Sequence, residues 1–400
     1  MSEQSLYLVM VTENNNNKFY RMIPEGDTFR VEYGRIGNDY FATDSYHISE
    51  WDKKLREKLR KGYVDQTRLV AVPTEPKNTD RKYSNISIKE IAIIVEKLQR
   101  MANQAIRNNY TISSTGVTQL MIDEAQDLLN KLNFINGDLK EFNSILMDLF
   151  HTIPRRMDNV TNYLAYRNVD FVRIVHREQD LLDVMRGQVV QQDMGIDNED
   201  SAKEAGQTVL ETLGLQFIPV SEQDNRIIKN NLGELRDKFR NAWCVINNKT
   251  QARFDHFVAQ NNIDNKKLLW HGSRNENWWS IIGTGLVLRP NAVITGKMFG
   301  DGIYFAPSAK KSFGYTSFSG SYWARGNSPF GYMSLFDVAY GIPYDVYDRG
   351  YFSDMNYEKL QQKKKGAHSL HAHAGAGLYN DEIIVYKENQ ITIKYLVEFV

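Results

Sequence analysis

Residues 267–286 read KLLWHGSRNENWWSIIGTGL. An apolar run stops on His271-Gly272-Ser273-Arg274, and the apolar spacing that follows is helical. A histidine where a strand ends is, taken alone, a turn residue with a local hydrogen bond. It becomes a substrate-binding corner only if other segments bring matching chemistry to it, so the rest of the chain decides.

The bounds are plain. Four hundred residues are too many for one compact core and indicate two or three domains. Lysine plus arginine equals aspartate plus glutamate at 49 each, which excludes a general affinity for polyanions but leaves local patches open. No apolar run approaches a membrane-spanning length, and MSEQSLYLVMVTE lacks the basic region and cleavage site of a secretory signal. Cys244 is the single cysteine. It excludes an intramolecular disulfide framework and any cysteine-rich zinc module, and it fits a reducing compartment.

Around the opening stretch, residues 207–400 read as α+β. KLLW, GIYFA, YMSLFDVAYGI, EIIVYK and ITIKYLVEF are strand-like, whereas NNLGELRDKFRNAW and NENWWSIIGTG carry helical spacing. The expected sheet is split and mainly antiparallel. Residues 86–206 show almost no strand signal. SIKEIAIIVEKLQRMANQAI, TQLMIDEAQDLLNKL, LKEFNSILMDLFHTI and FVRIVHREQDLLDVMRGQVV predict an all-α helical bundle, closed by the acidic connection QDMGIDNEDSAKEAGQ. Residues 73–85, rich in proline and polar side chains, are a linker. Residues 1–72 begin with the alternating runs LYLVMV, KFYRMI and TFRVEYGRIG, separated by turns at NNNN and PEGD. SEWDKKLREKLRKGY then predicts a helix with Trp51, Leu55 and Leu59 on one face and basic residues over the remainder. That basic surface is either a solvated face or one that contacts phosphates without reading sequence.

Three segments of residues 207–400 stand out together. LLWHGSR holds His271, Gly272, Ser273 and Arg274. VITGKMFGDGIYFAPSAKKSFGYTS places Gly300 and Gly302 before Tyr304, then Lys311, Ser312 and Tyr315. GLYNDEIIVYKENQITIKYLVEF opens a strand at Glu382. In this order LLWHGSR, MFGDGIYFA, KKSFGY and LYNDEIIVY resemble the catalytic domain of the DNA-dependent poly(ADP-ribose) polymerases. FHTIPRRM and REQDLLDVMRG resemble the helical regulatory domain of that family, and the first eighty residues resemble its WGR domain. The resemblance implies a multidomain α+β chain: a small β-rich WGR-like DNA-binding domain at 1–72, the linker at 73–85, an all-α helical regulatory domain at 86–206, and an ADP-ribosyltransferase domain at 207–400. There is no P-loop, and GTGLVL lacks the third glycine of a dinucleotide fingerprint, so the implied NAD+ handling is not of the Rossmann type.

Cleaving the nicotinamide–ribose bond passes through an oxocarbenium-like state, which a nearby carboxylate stabilises. By the resemblance, Glu382 is that carboxylate and activates the acceptor hydroxyl. His271 holds the adenosine ribose, Tyr304 packs on the nicotinamide ring and Tyr315 stacks on its other face. The backbone of Gly272 and the hydroxyl of Ser312 bind the carboxamide; Ser273, Asn277 and Arg289 line the adenosine half; Met298, Lys311 and Tyr379 border the acceptor side. NDE places Asp381 directly before Glu382, where the polymerising members of the family have the glutamate directly after the asparagine. Strand alternation points Asp381 to the opposite face, which makes it the weaker choice.

In VEYGRIGN the signature tryptophan of the WGR motif is Tyr33, followed by Gly34 and Arg35. The resemblance gives the ring a stacking role at a DNA end and the arginine a link to the helical domain. The implied activity is DNA-break-activated transfer of ADP-ribose from NAD+ to proteins, itself included, and elongation of the chain. The rival readings are a mono-ADP-ribosyltransferase and a catalytically silent DNA-end adaptor. The expected partners are DNA ends or nicks and acceptor proteins, with no membrane. The expected location is nuclear in a eukaryote and cytoplasmic, beside the nucleoid, in a bacterium. QQKKKGAHSLHAHAG is expected to be a mobile loop, and His368, His371 and His373 are expected to hold no metal, because no carboxylate or cysteine stands at ligand spacing.

Overall fold

A computed structural model describes residues 5–38, 40–67, 83–111, 117–197, 206–288 and 298–400, with the backbone alone at 191–197. Two compact units are present. One contains the described residues of Met1–Arg81 and Asn103–Val189; the other contains those of Lys82–Ala102, Val190–Asn291 and Gly296–Val400.

In the first unit, β1 (Leu6–Thr12), β2 (Asn16–Glu25), β3 (Thr28–Arg35), β4 (Ala42–His47) and β5 (Val64–Asp65) form a sheet of order β4-β3-β2-β1-β5. All its pairings are antiparallel. Helix α1 (Trp51–Arg60) lays Trp51 and Leu55 on the core of Leu8, Tyr20, Met22, Phe29 and Val31. Leu59 remains 44% exposed, so the apolar seam is shorter than the i, i+4, i+8 pattern predicts. The asparagine tract is not wholly a loop. Asn15 takes the turn at φ +61°, whereas Asn16 and Asn17 open β2, and Asn17 is fully buried.

Among the described residues four α-helices follow: α2 (Lys89–Asn109), α3 (Gln119–Phe134), α4 (Leu139–Thr152) and α5 (Phe171–Asp197). Thr118 and Asp138 cap α3 and α4 by accepting from the N–H groups of Met121 and Glu141. Ile122, Ala125 and Leu129 of α3, and Phe142, Leu146 and Phe150 of α4, are fully buried, and Phe142 stacks on Phe171 at 3.8 Å. The acidic connection therefore begins inside α5; residues 198–205 of it, and 73–82 of the expected linker, lie outside the described residues.

The second unit holds two sheets. Its elements after α5 are α6 (Val209–Leu213), β6 (Leu215–Pro219), α7 (Glu222–Asn231), β7 (Phe239–Asn247), α8 (Asn248–Gln260), β8 (Lys267–Gly272), α9 (Trp278–Thr284), β9 (Ile303–Phe305), α10 (Ala309–Phe313), β10 (Gly331–Val338), β11 (Pro343–Val346), α11 (Tyr357–Lys363), β12 (Ser369–Ala372), β13 (Glu382–Val385) and β14 (Ile391–Phe399). One sheet runs β6-β7-β14-β10-β8 and the other β11-β12-β13-β9. Among the strand pairings of these two sheets only β11–β12 is parallel, so the mixed α/β class with mainly antiparallel sheets stands.

Two local readings are corrected. NNLGELRDKFRNAW is not one helix: Gly233 turns the chain at φ +54°, a short 3-10 segment follows, and FRNAW begins β7. QQKKKGAHSLHAHAG is not a loop. Its first part completes α11, and Ser369–Ala372 form the wholly buried strand β12, whose Leu370 and Ala372 pack in a core with Ile384 and Tyr386.

Candidate active site

Strand β8 carries the opening motif into the second unit. It pairs with β10, opposing His271 to Ser334. Its end is locked by Trp270, which is fully buried, donates its indole N–H to the Asn231 carbonyl at 3.0 Å, and exchanges two backbone bonds with Ala306. Truncating such a side chain costs about 3–5 kcal/mol.

His271 follows with its ring edge among Trp278, Phe305 and Phe336, whose centroids lie 5.8–6.5 Å away. The Tyr304 carbonyl stands 3.0 Å from Nδ1 and can only accept, so Nδ1 carries the hydrogen and Nε2 keeps its lone pair. Burial holds the imidazole below its ordinary value of 6.5 against that hydrogen bond, and the ring is neutral at pH 7.

The glycines have a steric reason. A Cβ on Gly272 would stand 1.9 Å from the Ser312 carbonyl, on Gly300 2.0 Å from the Met355 carbonyl, and on Gly302 2.1 Å from a methyl of Ile384. Close backbone packing therefore demands glycine at 272 before any ligand is considered, a cause that the sequence reading did not supply. Ser312, on α10, donates its hydroxyl to the Trp270 carbonyl at 3.1 Å, tying the helix to β8.

Tyr304 sits on β9 opposite Ile384 of β13. Its hydroxyl accepts from the Phe299 N–H and donates to the Gly300 carbonyl, which fixes the ring, and burial holds its pKa far above the ordinary range. Tyr315 stacks at 6.2 Å and 17° on Trp323, a residue that no sequence motif singled out, and burial pushes its phenol up to about 12.

Glu382 opens β13, is 6% exposed, and pairs through Oε1 with the Lys311 ammonium at 2.6 Å. Its Oε2 is buried with no hydrogen-bond partner. Burial raises the carboxyl above its ordinary value, and Lys311 opposes the shift. Asp381 lies on the other face, accepting from the Ala374 N–H and from His371. Alternation along the strand separates the two neighbours as expected.

Other expected site residues are placed less centrally. Ser273 accepts from the Asn277 amide at 3.0 Å, and the buried Oδ1 of Asn277 has no partner. Met298 is 42% exposed and Tyr379 is 99% exposed. Arg289 lies outside the described residues. The histidines at 371 and 373 do have carboxylates beside them, Asp345 and Asp381, so the expectation that none accompanies them is corrected. The register of three strands brings together residues that spacing along the chain keeps apart.

In the first unit, Tyr33 on β3 lies opposite Tyr20, donates its hydroxyl to Asp44 at 3.1 Å, and has the Lys58 ammonium 5.9 Å from its ring. Gly34 packs beneath Phe41. Arg35 donates to the carbonyls of Asn15, Met157 and Asp158 and to the Asn15 side chain. The Asn17 amide donates to the Arg155 carbonyl and Arg156 to the Gly37 carbonyl, and the Val11 N–H donates to His151. FHTIPRRM is therefore the segment that the β-sheet grips.

Two family models match separate parts of the chain. The WGR domain model matches residues 4–69, and the poly(ADP-ribose) polymerase catalytic domain model matches residues 226–400. Among relatives, the putative poly(ADP-ribose) polymerase-like protein 100L of Invertebrate iridescent virus 6 is 32% identical over 184 residues, 44% of this chain and 94% of its own length. The chain belongs to the poly(ADP-ribose) polymerase family. It is an NAD+ ADP-ribosyltransferase with a WGR domain. The uncharacterised protein 101L of the same virus is 38% identical over 186 residues, 46% of this chain and 76% of its own length. Poly(ADP-ribose) polymerase 1 of Gallus gallus is 27% identical over 230 residues, 50% of this chain but 22% of its own. Among the described residues no helix is long and apolar enough to cross a membrane.

Proposed function

We propose that this ADP-ribosyltransferase is a poly(ADP-ribose) polymerase switched on by DNA breaks. The observation that carries the reading is Glu382: a buried carboxylate, held on one oxygen by Lys311, with the other oxygen free to accept. In the reaction the glycosidic C–N bond of NAD+ breaks, nicotinamide leaves, and an acceptor hydroxyl bonds to the ribose carbon. Glu382 stabilises the positive charge that develops on the sugar and takes the proton of the hydroxyl. The free Nε2 of His271 accepts from the adenosine ribose. Tyr304 and Tyr315 flank nicotinamide, while Gly272 and Ser312 hold its carboxamide. Ser273 and Asn277, with Arg289, line the adenosine half, and Met298, Lys311 and Tyr379 border the acceptor.

The DNA-dependent part rests on Tyr33 and Arg35. Tyr33 offers a smaller stacking face than tryptophan, next to the Lys58 ammonium. Arg35 links that surface to residues 157 and 158, so a DNA end that rearranges the motif acts on the helical segment directly. The helical segment serves as a regulatory domain that restrains the enzyme until DNA favours an open state.

The experiment is transfer of labelled NAD+, resolved on a gel, with and without short duplexes bearing a 5′-phosphorylated end. A high-mass smear that requires DNA is expected. A single sharp band contradicts elongation, and equal labelling without DNA contradicts activation by breaks.

A further inference from the structure

On the face of the β12–β13 pair away from Glu382 lies a cluster that NAD+ chemistry does not use. Asp345 on β11 stands in register with His371 on β12, and His373 follows one residue after the strand ends. One ligand atom from each of the three lies within 4.8 Å of the others. His373 Nε2 is 2.8 Å, and His371 Nδ1 3.9 Å, from Asp345 Oδ1. The ligand–ligand edge of a tetrahedral zinc site is about 3.3 Å, given bonds of about 2.0–2.1 Å to nitrogen and oxygen. The two separations to Asp345 bracket that edge, and the two histidine nitrogens lie within 4.8 Å of each other.

The far nitrogens are provided for as well. Asp381 Oδ2 lies 2.9 Å from His371 Nε2 and 3.7 Å from His373 Nδ1. One carboxylate thus faces the outer nitrogen of both rings, an arrangement that fixes ring orientation in histidine-ligated metal centres. The imidazoles stack at 3.9 Å, and Tyr347 stacks on His373 at 4.2 Å, which limits their rotation. Lys267, with its ammonium over the Tyr340 ring, brings one positive charge near two carboxylates.

We propose that Asp345, His371 and His373 bind one divalent ion of the zinc class, with Asp381 as the outer carboxylate. His371 binds through Nδ1, which the Tyr340 hydroxyl now occupies at 2.9 Å, and His373 binds through Nε2. The proton on His373 Nε2 moves to Nδ1, which faces Asp381, so no net proton is released. Two imidazoles and one carboxylate favour zinc over magnesium or calcium, which demand oxygen ligands. The ion cross-links β11 to β12 and, through Asp381, to the start of β13 at Glu382.

The test uses the full chain after chelation. Calorimetric titration with Zn2+ is expected to show one equivalent bound, and Co2+ to give the intense visible absorption of a tetrahedral centre. Asp381→Asn should weaken zinc by about 10–100-fold. Asp345→Asn and His373→Gln, checked for native melting without metal, should abolish the stoichiometric site. Absence of stoichiometric zinc in the wild-type chain overturns the proposal, as does unchanged binding in both ligand variants. The result does not depend on ADP-ribosyl transfer and is read without it.

Discussion

Among the described residues each unit holds a buried cation–carboxylate pair, and the two differ in what they leave over. In the first unit Arg155 and Glu178 are both 2% exposed, and both oxygens of Glu178 are engaged, one by Arg155 and the other by Arg177. In the second unit Lys311 holds only Oε1 of Glu382, and Oε2 is buried without a partner. A carboxylate with both oxygens engaged fixes structure. One with a spare acceptor in a desolvated site is poised to take a proton or stabilise a positive charge. The residue types are nearly the same, and the surroundings decide which task each performs.

The largest expected effect is on the structural pair. Arg155→Met strips one buried oxygen of Glu178 of its partner, leaving only Arg177 on the other, and should lower the stability of the chain by about 3–5 kcal/mol in urea unfolding. A loss below 1 kcal/mol would show that water reaches Glu178 and would erase the contrast with Glu382. Gly272→Ala comes next. Its methyl meets the Ser312 carbonyl, so overpacking should cost about 1–3 kcal/mol, read as a lowered melting temperature together with weakened NAD+ binding.

Lys311→Met sharpens the comparison by pH. The carboxyl of Glu382 is raised by burial and lowered by Lys311, and the catalytic form is the ionised one. Activity therefore rises with pH through the raised pKa. Removing the ammonium should move that acid limb upward. An unmoved limb would assign it to another group. Tyr33→Ala should have the smallest effect: loss of about 1 kcal/mol of stacking, or roughly fivefold weaker activation by DNA, with basal transfer retained. Equal stimulation in mutant and wild type would remove Tyr33 from the DNA-binding surface.

The motifs through which the family resemblance points to the candidate site lie where strands begin and end. LLWHGSR, GIYFA and NDEIIVY mark β8, β9 and β13 by their apolar runs, and the family resemblance together with strand alternation set Asp381 apart from Glu382. What stayed hidden depends on register and on tertiary packing. The Ser312 carbonyl behind Gly272, the Trp323 ring on Tyr315 and the Lys311 ammonium on Glu382 are neighbours that no periodicity announces. The histidines were read as a polar loop because HSLHAHAG alternates small and polar residues. Burial of Leu370 and Ala372 makes that stretch a strand, and the parallel register of β11 brings Asp345 to His371. Helices α7 and α8 were missed because their apolar residues are few, with Ile228 alone fully packed in α7. Capping gives the better signal there: Ser221 and Asp224 form a capping box, and Asn247 accepts from two N–H groups of α8.

The central claim is that Glu382 is the carboxylate through which ADP-ribose is transferred and extended. The most direct measurement is transfer from labelled NAD+ by Glu382→Gln in the presence of DNA ends, paired with NAD+ binding by calorimetry. The account predicts binding close to wild type and polymer formation lowered by about 10²–10⁴-fold. An unchanged polymer ladder would contradict it.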